Sequence, residues 1–198
     1  MYTIMNSPIA DRGRQAAGRS VWLALLFAML VLVAHAGPAK AEAVPGMLSS
    51  HAQTWHKLGE GELRWFGLRI YRAALWSAEP AWDPDQPFAL AIRYDRSIRS
   101  GRLVDTSLDE MRRLAVADDA RIEAWRGALE QAFPDVESGE VIVGVRHSGG
   151  GASFYHKDRL TARIEDAAFA DAFFAIWLDE RTREPSLRER LLGGPDNG

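Results

Sequence analysis

Residues 63–76, Leu63-Arg64-Trp65-Phe66-Gly67-Leu68-Arg69-Ile70-Tyr71-Arg72-Ala73-Ala74-Leu75-Trp76, are crowded with aromatic and branched side chains and broken once by glycine. Such side chains suit a pleated, half-buried surface, so the stretch predicts strand, with Gly67 at a bulge or turn. Downstream, Phe88, Leu90, Ile92 and Tyr94 alternate with Ala89, Ala91, Arg93 and Asp95, the period of a strand with one covered face. Between the two, residues 80–87 hold three prolines and two aspartates and read as a turn-rich connection, too short to divide domains.

The period then changes. Ser107-Leu108-Asp109-Glu110 has the form of a capping box, in which hydroxyl and carboxylate satisfy the free amides of a helix start, and Leu108, Met111 and Leu114 follow at helical spacing. A second helix carries Ile122, Trp125, Leu129 and Phe133 on one stripe and stops at Pro134. Strands return with Val141, Val143 and Val145, then a Ser148-Gly149-Gly150-Gly151 turn, Phe154-Tyr155-His156, a Lys157-Asp158-Arg159 turn and residues 160–164. Asp166 caps a helix to Leu178 that is apolar nearly all round, hence buried, and Ser186-Leu187-Arg188-Glu189 reads as a second capping box. Strands, helices, strands and helices in that order give an α+β domain with a mainly antiparallel sheet.

Outside this block, Arg12, Arg14 and Arg19 precede an apolar run from Val21 to Ala36, interrupted by His35, and a small-residue pattern at Ala39 and Ala41. These are the parts of a secretory signal peptide over residues 1–41, cut after Ala41, and the run is short for a permanent membrane span of about 20 residues. An uncleaved anchor is the alternative; both export residues 42–198 as one domain, to a periplasm or similar envelope space. Loss of Arg12, Arg14, Arg19 and Lys40 with only Asp11 makes the exported part more acidic than the full chain, whose formal net charge is -3. That balance argues against a nucleic-acid partner. The absence of cysteine excludes disulfides, thiolate metal sites and thiol catalysis.

Chemical motifs are sparse. His51 and His56 lack metal-site spacing, and His147 and His156 can at most face each other across a hairpin, without a third ligand; no metal or cofactor is expected. The Ser148 turn lacks the order of a nucleophile elbow. Asp109, Glu110, Asp118 and Asp119 sit at expected helix starts, where they complement the helix dipole. Aromatic side chains are the stronger signal: Trp55, Trp65, Trp76, Trp82, Trp125 and Trp177 all follow the leader, and large rings fill a core or line an apolar cavity.

Three segments carry a family resemblance. Gly59-Glu60-Gly61 with residues 65–76, Phe133-Pro134-Asp135-Val136-Glu137-Ser138-Gly139-Glu140 before a valine strand, and residues 169–178 with Leu187-Arg188 and Leu191-Leu192-Gly193 are similar, in order, to the bacterial chalcone isomerase-like domains. The resemblance implies an open-faced β-sandwich, an antiparallel sheet with helices on one face and an apolar cleft between them. In the family's enzymes the cleft cyclises chalcones with a strand arginine, a tyrosine and a helix asparagine; in related proteins it holds fatty acids. This chain departs from the catalytic pattern. Its asparagines are Asn6 and Asn197, no tyrosine lies between Tyr94 and Tyr155, and the arginine position falls on Leu63, with Arg64 turned to the other side.

The expectation is an exported, non-catalytic protein that binds a small apolar or amphipathic molecule, a fatty acid or aromatic acid. The candidate lining is Trp65, Tyr71, Trp76, Tyr94, Phe173 and Trp177, with Arg64 as a carboxylate partner. An envelope scaffold with a filled cleft and a divergent isomerase are the rival readings.

Overall fold

The computed structural model describes residues 45–49 and 54–194. The leader, its cleavage point and His51 lie outside the described residues. Six strands follow one another across a single sheet in chain order: β1 (His56–Trp65), β2 (Leu68–Ser77), β3 (Phe88–Tyr94), β4 (Val141–Arg146), β5 (Ala152–His156) and β6 (Arg159–Ile164), each antiparallel to its neighbour. Short turns suffice for such a meander. Phe66 and Gly67 turn β1 into β2, and Lys157 and Asp158 turn β5 into β6.

A short helix α1 (Gly46–Ser49) precedes the sheet. The long insertion between β3 and β4 carries α2 (Ser100–Leu114), α3 (Asp119–Ala124) and α4 (Arg126–Ala132), and the chain closes with α5 (Ala167–Leu178) and α6 (Pro185–Leu191). Helix α2 packs on α4 and α5, α4 reaches β6, and α6 lies along β1. That last approach requires glycine. A Cβ at Gly59 would stand 1.9 Å from the Arg190 carbonyl oxygen, and one at Gly61 would stand 2.7 Å from Leu187 Cδ1.

Four local expectations are corrected. Ser107 does not start a helix: α2 begins a full two turns earlier, and the Ser107 hydroxyl donates back to the Leu103 carbonyl (2.9 Å), a bond available to serine inside a helix. The Ser100 amide is satisfied instead by the Asp135 carboxylate from across the fold (2.7 Å). Ser186 likewise sits inside α6, which starts at Pro185 after Glu184, proline being suited to the first helical position. The stripe from Ile122 to Phe133 is two helices meeting at Trp125, whose indole N–H donates to Asp166 (3.0 Å). Strand β3 is covered on both faces, because Ala89 and Ala91 are buried as deeply as Leu90 and Ile92.

Other starts fall where expected. Asp118 accepts from the Arg121 amide, and Asp166 accepts from the amides of Ala168 and Phe169.

Two apolar layers result. The larger joins the sheet to α2 through α6 and centres on Phe133, Phe154, Phe169, Phe173 and Phe174. The smaller, on the opposite face, joins Leu48 and Trp55 to Ala74, Trp76, Ala89, Ala91, Val143 and Val145. The histidines of the β4–β5 hairpin are apart: His147 Nε2 contacts Ser153 Oγ (2.9 Å), while His156 Nε2 contacts Glu140 Oε2 (2.9 Å) at the other end of β5. Among the described residues no cluster of three or more His, Asp or Glu side chains is placed to hold a metal, and no helix is long and apolar enough to cross a membrane.

Candidate functional site

Alternation along the strands decides what faces the helices. Leu63, Tyr71, Leu90, Ile92, Tyr94 and Ile142 share the helix side of β1 to β4, as their registers require: Leu63 opposes Tyr71, Tyr71 opposes Tyr94, and Ile92 opposes Ile142. Helices α2 and α5 do not close onto all of this surface. An open cleft of ≈ 1140 Å³ remains between them, floored by those strand residues and walled by Leu103, Thr106 and Ser107 of α2 and Phe173, Ile176 and Trp177 of α5. Gly144, Phe154 and Phe173 also line it, and a Cβ at Gly144 would stand 3.2 Å from the Phe154 ring.

Two phenols stand on the floor. Tyr71 and Tyr94 face one another edge-on across β2 and β3, with ring centroids 6.3 Å apart. The Trp177 indole N–H donates to the Tyr71 hydroxyl (3.0 Å) and ties α5 to β2 across the hollow. Burial pushes the Tyr71 phenol up to about 12, against the lowering effect of the Trp177 bond, and pushes Tyr94 up as well. Both groups are therefore neutral hydrogen-bonding groups at physiological pH, not bases. Among the described residues no histidine lines the cleft. Of its carboxylates, Glu110 is held by Arg113 (2.8 Å) and Arg183 (3.1 Å), and Asp109 by Arg112 (3.2 Å); Glu184 lines it from the segment before α6.

The exposed lining holds more arginines than acids, Arg96, Arg99, Arg102 and Arg183 against Asp109 and Glu184. Arg96 and Arg99 from the segment after β3, and Arg102 from the first turn of α2, line the cleft with exposed side chains. Among the described residues these three guanidinium groups have no ion-pair or hydrogen-bond partner. The arrangement thus offers an open cleft with an apolar floor, two neutral phenols on that floor, the carboxylates of Glu110 and Glu184 near Tyr71, and unpaired arginines in its exposed lining.

Of the residues named from sequence, Trp65, Tyr71, Tyr94, Phe173 and Trp177 come together in this lining, Trp65 at the rim. Trp76 does not. It stands five residues from Tyr71, an odd step that places it on the opposite face of β2, packed with Ala74 and Ala89. Arg64 also lies outside, between the lining residues Leu63 and Trp65; its guanidinium pairs with Glu62 and donates weakly to the Gly67 carbonyl (3.4 Å). Sequence reasoning missed Arg96, Arg99 and Arg102. Their signal was a three-residue spacing directly after a strand whose end, Tyr94, was already assigned to the lining.

With the geometry in place, comparison with known proteins is decisive for ancestry. The profile of the chalcone isomerase-like family matches residues 45–193. The chain belongs to the chalcone isomerase-like family. An uncharacterised protein from Haemophilus influenzae is 24% identical over 140 residues, spanning 70% of this chain and 68% of that protein. Among solved structures, an Arabidopsis thaliana fatty-acid binding protein superposes with a TM-score of 0.55 at 10% identity, covering 73% of this chain and 89% of that one. The fold of this chalcone isomerase-like chain is accordingly the six-stranded antiparallel open sheet with helices against one face.

Proposed function

We propose that the protein is an exported, periplasmic binding protein for a small amphipathic molecule, a fatty acid or an aromatic acid, and not an isomerase. The observation that carries the reading is the cleft: ≈ 1140 Å³, apolar on its floor and on the wall formed by α5, with unpaired arginines at the mouth. Small-molecule sites commonly occupy about 300–1,000 Å³, are mostly apolar, and hold few placed polar groups. An acyl chain or aromatic body lies along Leu90, Ile92 and Ile142, its carboxylate meets Arg96, Arg99 or Arg102, and Tyr71 and Tyr94 are available to polar atoms along the way. The Arabidopsis neighbour is a fatty-acid binding protein, which supports this choice of ligand.

Against turnover stands the composition of the interior. A developing enolate or phenolate needs preorganised donors or positive charge at the reacting atoms. Here the strand position opposite Tyr71 is Leu63, the phenols are held protonated, and the chain's asparagines are Asn6 and Asn197. Export rests on the basic head, apolar run and Ala39/Ala41 pattern of the leader.

The test is direct. The protein is purified from the periplasm, its N-terminus is read by mass spectrometry, and bound lipid is extracted under denaturing conditions. A chain beginning at Glu42 with a co-purifying fatty or aromatic acid is the expected result. Added fatty acid should also change tryptophan emission, since Trp65 and Trp177 line the cleft. An empty protein whose emission is indifferent to such acids overturns the proposal in favour of a scaffold.

A further inference from the structure

The tip of the β1–β2 hairpin breaks the rules that the rest of the sheet obeys. Trp65, Phe66 and Leu68 are 65%, 90% and 52% exposed, and among the described residues Leu160 is the other large apolar side chain left so open. The two-residue turn itself is strained: Phe66 has φ 47° and Gly67 has φ 76°. Positive φ at both positions is what a tight hairpin turn requires, and its natural occupants are Asn-Gly or Gly-Gly. Phenylalanine there gives up backbone comfort and gains no burial in return. Its ring meets only Trp65, edge-on at 5.4 Å, within the described residues.

The surroundings give the tip a partner. The exposed rings extend past the end of β3, beside the segment that carries Arg96, Arg99 and Arg102, and Trp65 lines the same cleft mouth as those arginines. Two acids at this end are paired, Glu62 with Arg64 and Arg69, and Asp95 with Arg69 (2.6 Å); the Asp135 carboxylate, which accepts from the Ser100 amide, keeps its charge and stands against three arginines. A chain of formal net charge -3 thus gathers, among its described residues, an excess of positive charge at an end where it also exposes the Trp65 and Phe66 rings. Apolar rings flanked by basic side chains are the combination that settles into the headgroup boundary of an anionic bilayer, tryptophan preferring that boundary for its amphipathic ring.

We propose that this rim docks on an anionic lipid surface: Phe66, Trp65 and Leu68 enter the headgroup layer, Arg96, Arg99 and Arg102 meet lipid phosphates, and the cleft opens directly onto the membrane. The proposal rests on the ligand-binding reading for its purpose, since a cleft opening onto a bilayer exchanges an amphiphile without passing it through water. It differs in its residues, because Phe66 and Leu68 are outside the cleft lining.

The experiment uses the mature chain, residues 42–198, sedimented with vesicles of phosphatidylcholine alone and of phosphatidylcholine mixed with phosphatidylglycerol, over a salt series. Binding to the mixed vesicles, weakened by salt and by about tenfold or more in the R96Q/R99Q/R102Q triple variant, is expected. The sharper variant is Phe66→Asn, which installs the Asn-Gly turn that the hairpin geometry favours and so protects the fold. It should lose vesicle affinity while soluble fatty acid still changes tryptophan emission. Unchanged vesicle binding by Phe66→Asn, or no binding by the parent protein, overturns the docking site; so does a photo-crosslinker at residue 66 that captures a protein and no lipid. Fatty-acid uptake without vesicle binding overturns docking alone and leaves the ligand reading standing. Vesicle binding without fatty-acid uptake supports docking and removes the ligand reading.

Discussion

The two faces of the six-stranded sheet come from the same strands and end differently. Toward α2 and α5 they present Tyr71, Leu90, Ile92, Tyr94 and Ile142, large side chains that nevertheless leave a hollow. Away from the helices they present Ala74, Ala89, Ala91, Val143 and Val145 beside one large ring, Trp76 of β2, and that face is closed by Leu48 and Trp55 from the chain before β1. Residue size on a face therefore does not determine whether the face is filled. The cover does. On the helix side the cover is rigid and propped, by the Trp177–Tyr71 hydrogen bond and by the Phe173 ring wedged among Phe133, Phe154, Phe169, Phe174 and Trp177. On the far side the alanines leave room for two indoles beside the strands.

The strongest way to break this contrast is to remove the prop. Phe173→Ala empties a ring site that is 3% exposed and should cost about 3–5 kcal/mol, read as a lowered urea midpoint, with loss of fatty-acid uptake as α5 settles. A loss below about 1 kcal/mol would mean that the helices are not held off the sheet by that cluster. Next in size is a matched pair of insertions. Ala91→Leu adds bulk to the closed face and should cost about 1–3 kcal/mol while leaving ligand affinity alone. Leu103→Trp adds bulk to the cleft wall, where there is space, and should cost less than about 1 kcal/mol while abolishing uptake. The reverse pattern would show that the hollow lies elsewhere. Smaller again is Trp177→Phe, which deletes the donor to Tyr71 and should cost about 1 kcal/mol, with a modest fall in affinity by titration of tryptophan emission.

The same contrast shows what could be read from residue order. Strand period placed Leu90, Ile92 and Tyr94 together because alternation is local, and the Asp118 and Asp166 caps were legible because an N-cap acts within three residues. Ser107 misled for the converse reason. Its box pattern was correct in form, but the partner that releases the true helix start, Asp135, lies 35 positions away. Coverage of Ala89 and Ala91 was equally hidden, since it depends on Leu48 and Trp55 arriving from the other end of the chain. At the site, Trp76 is the instructive case. Parity with Tyr71 was available in the sequence and excludes it, whereas the arginines of the mouth needed the tertiary fold to bring α2 over the sheet. Family membership was legible from three ordered segments, and the glycines of the first have a physical reason in the close approach of α6.

The last effect concerns the phenols and is confined to alkaline pH. Tyr71 is pushed up to about 12 from an ordinary 10.0 by burial, and Tyr94 moves in the same direction for the same cause. A folded-state value above that of the unfolded chain means that the associated stability is fully present below about pH 10 and drains away as pH rises toward 12, because the unfolded chain releases the protons first. Urea midpoints should therefore fall across that window in the parent protein and fall less in the Tyr71→Phe/Tyr94→Phe double variant. A bound fatty acid excludes water from the floor and should steepen the decline, since it raises the cost of a phenolate there. A double variant that declines as steeply as the parent would mean that water already solvates both hydroxyls. The helix side of the sheet would then be an open groove rather than a sheltered hollow, and the contrast between its two faces would be one of exposure and not of packing.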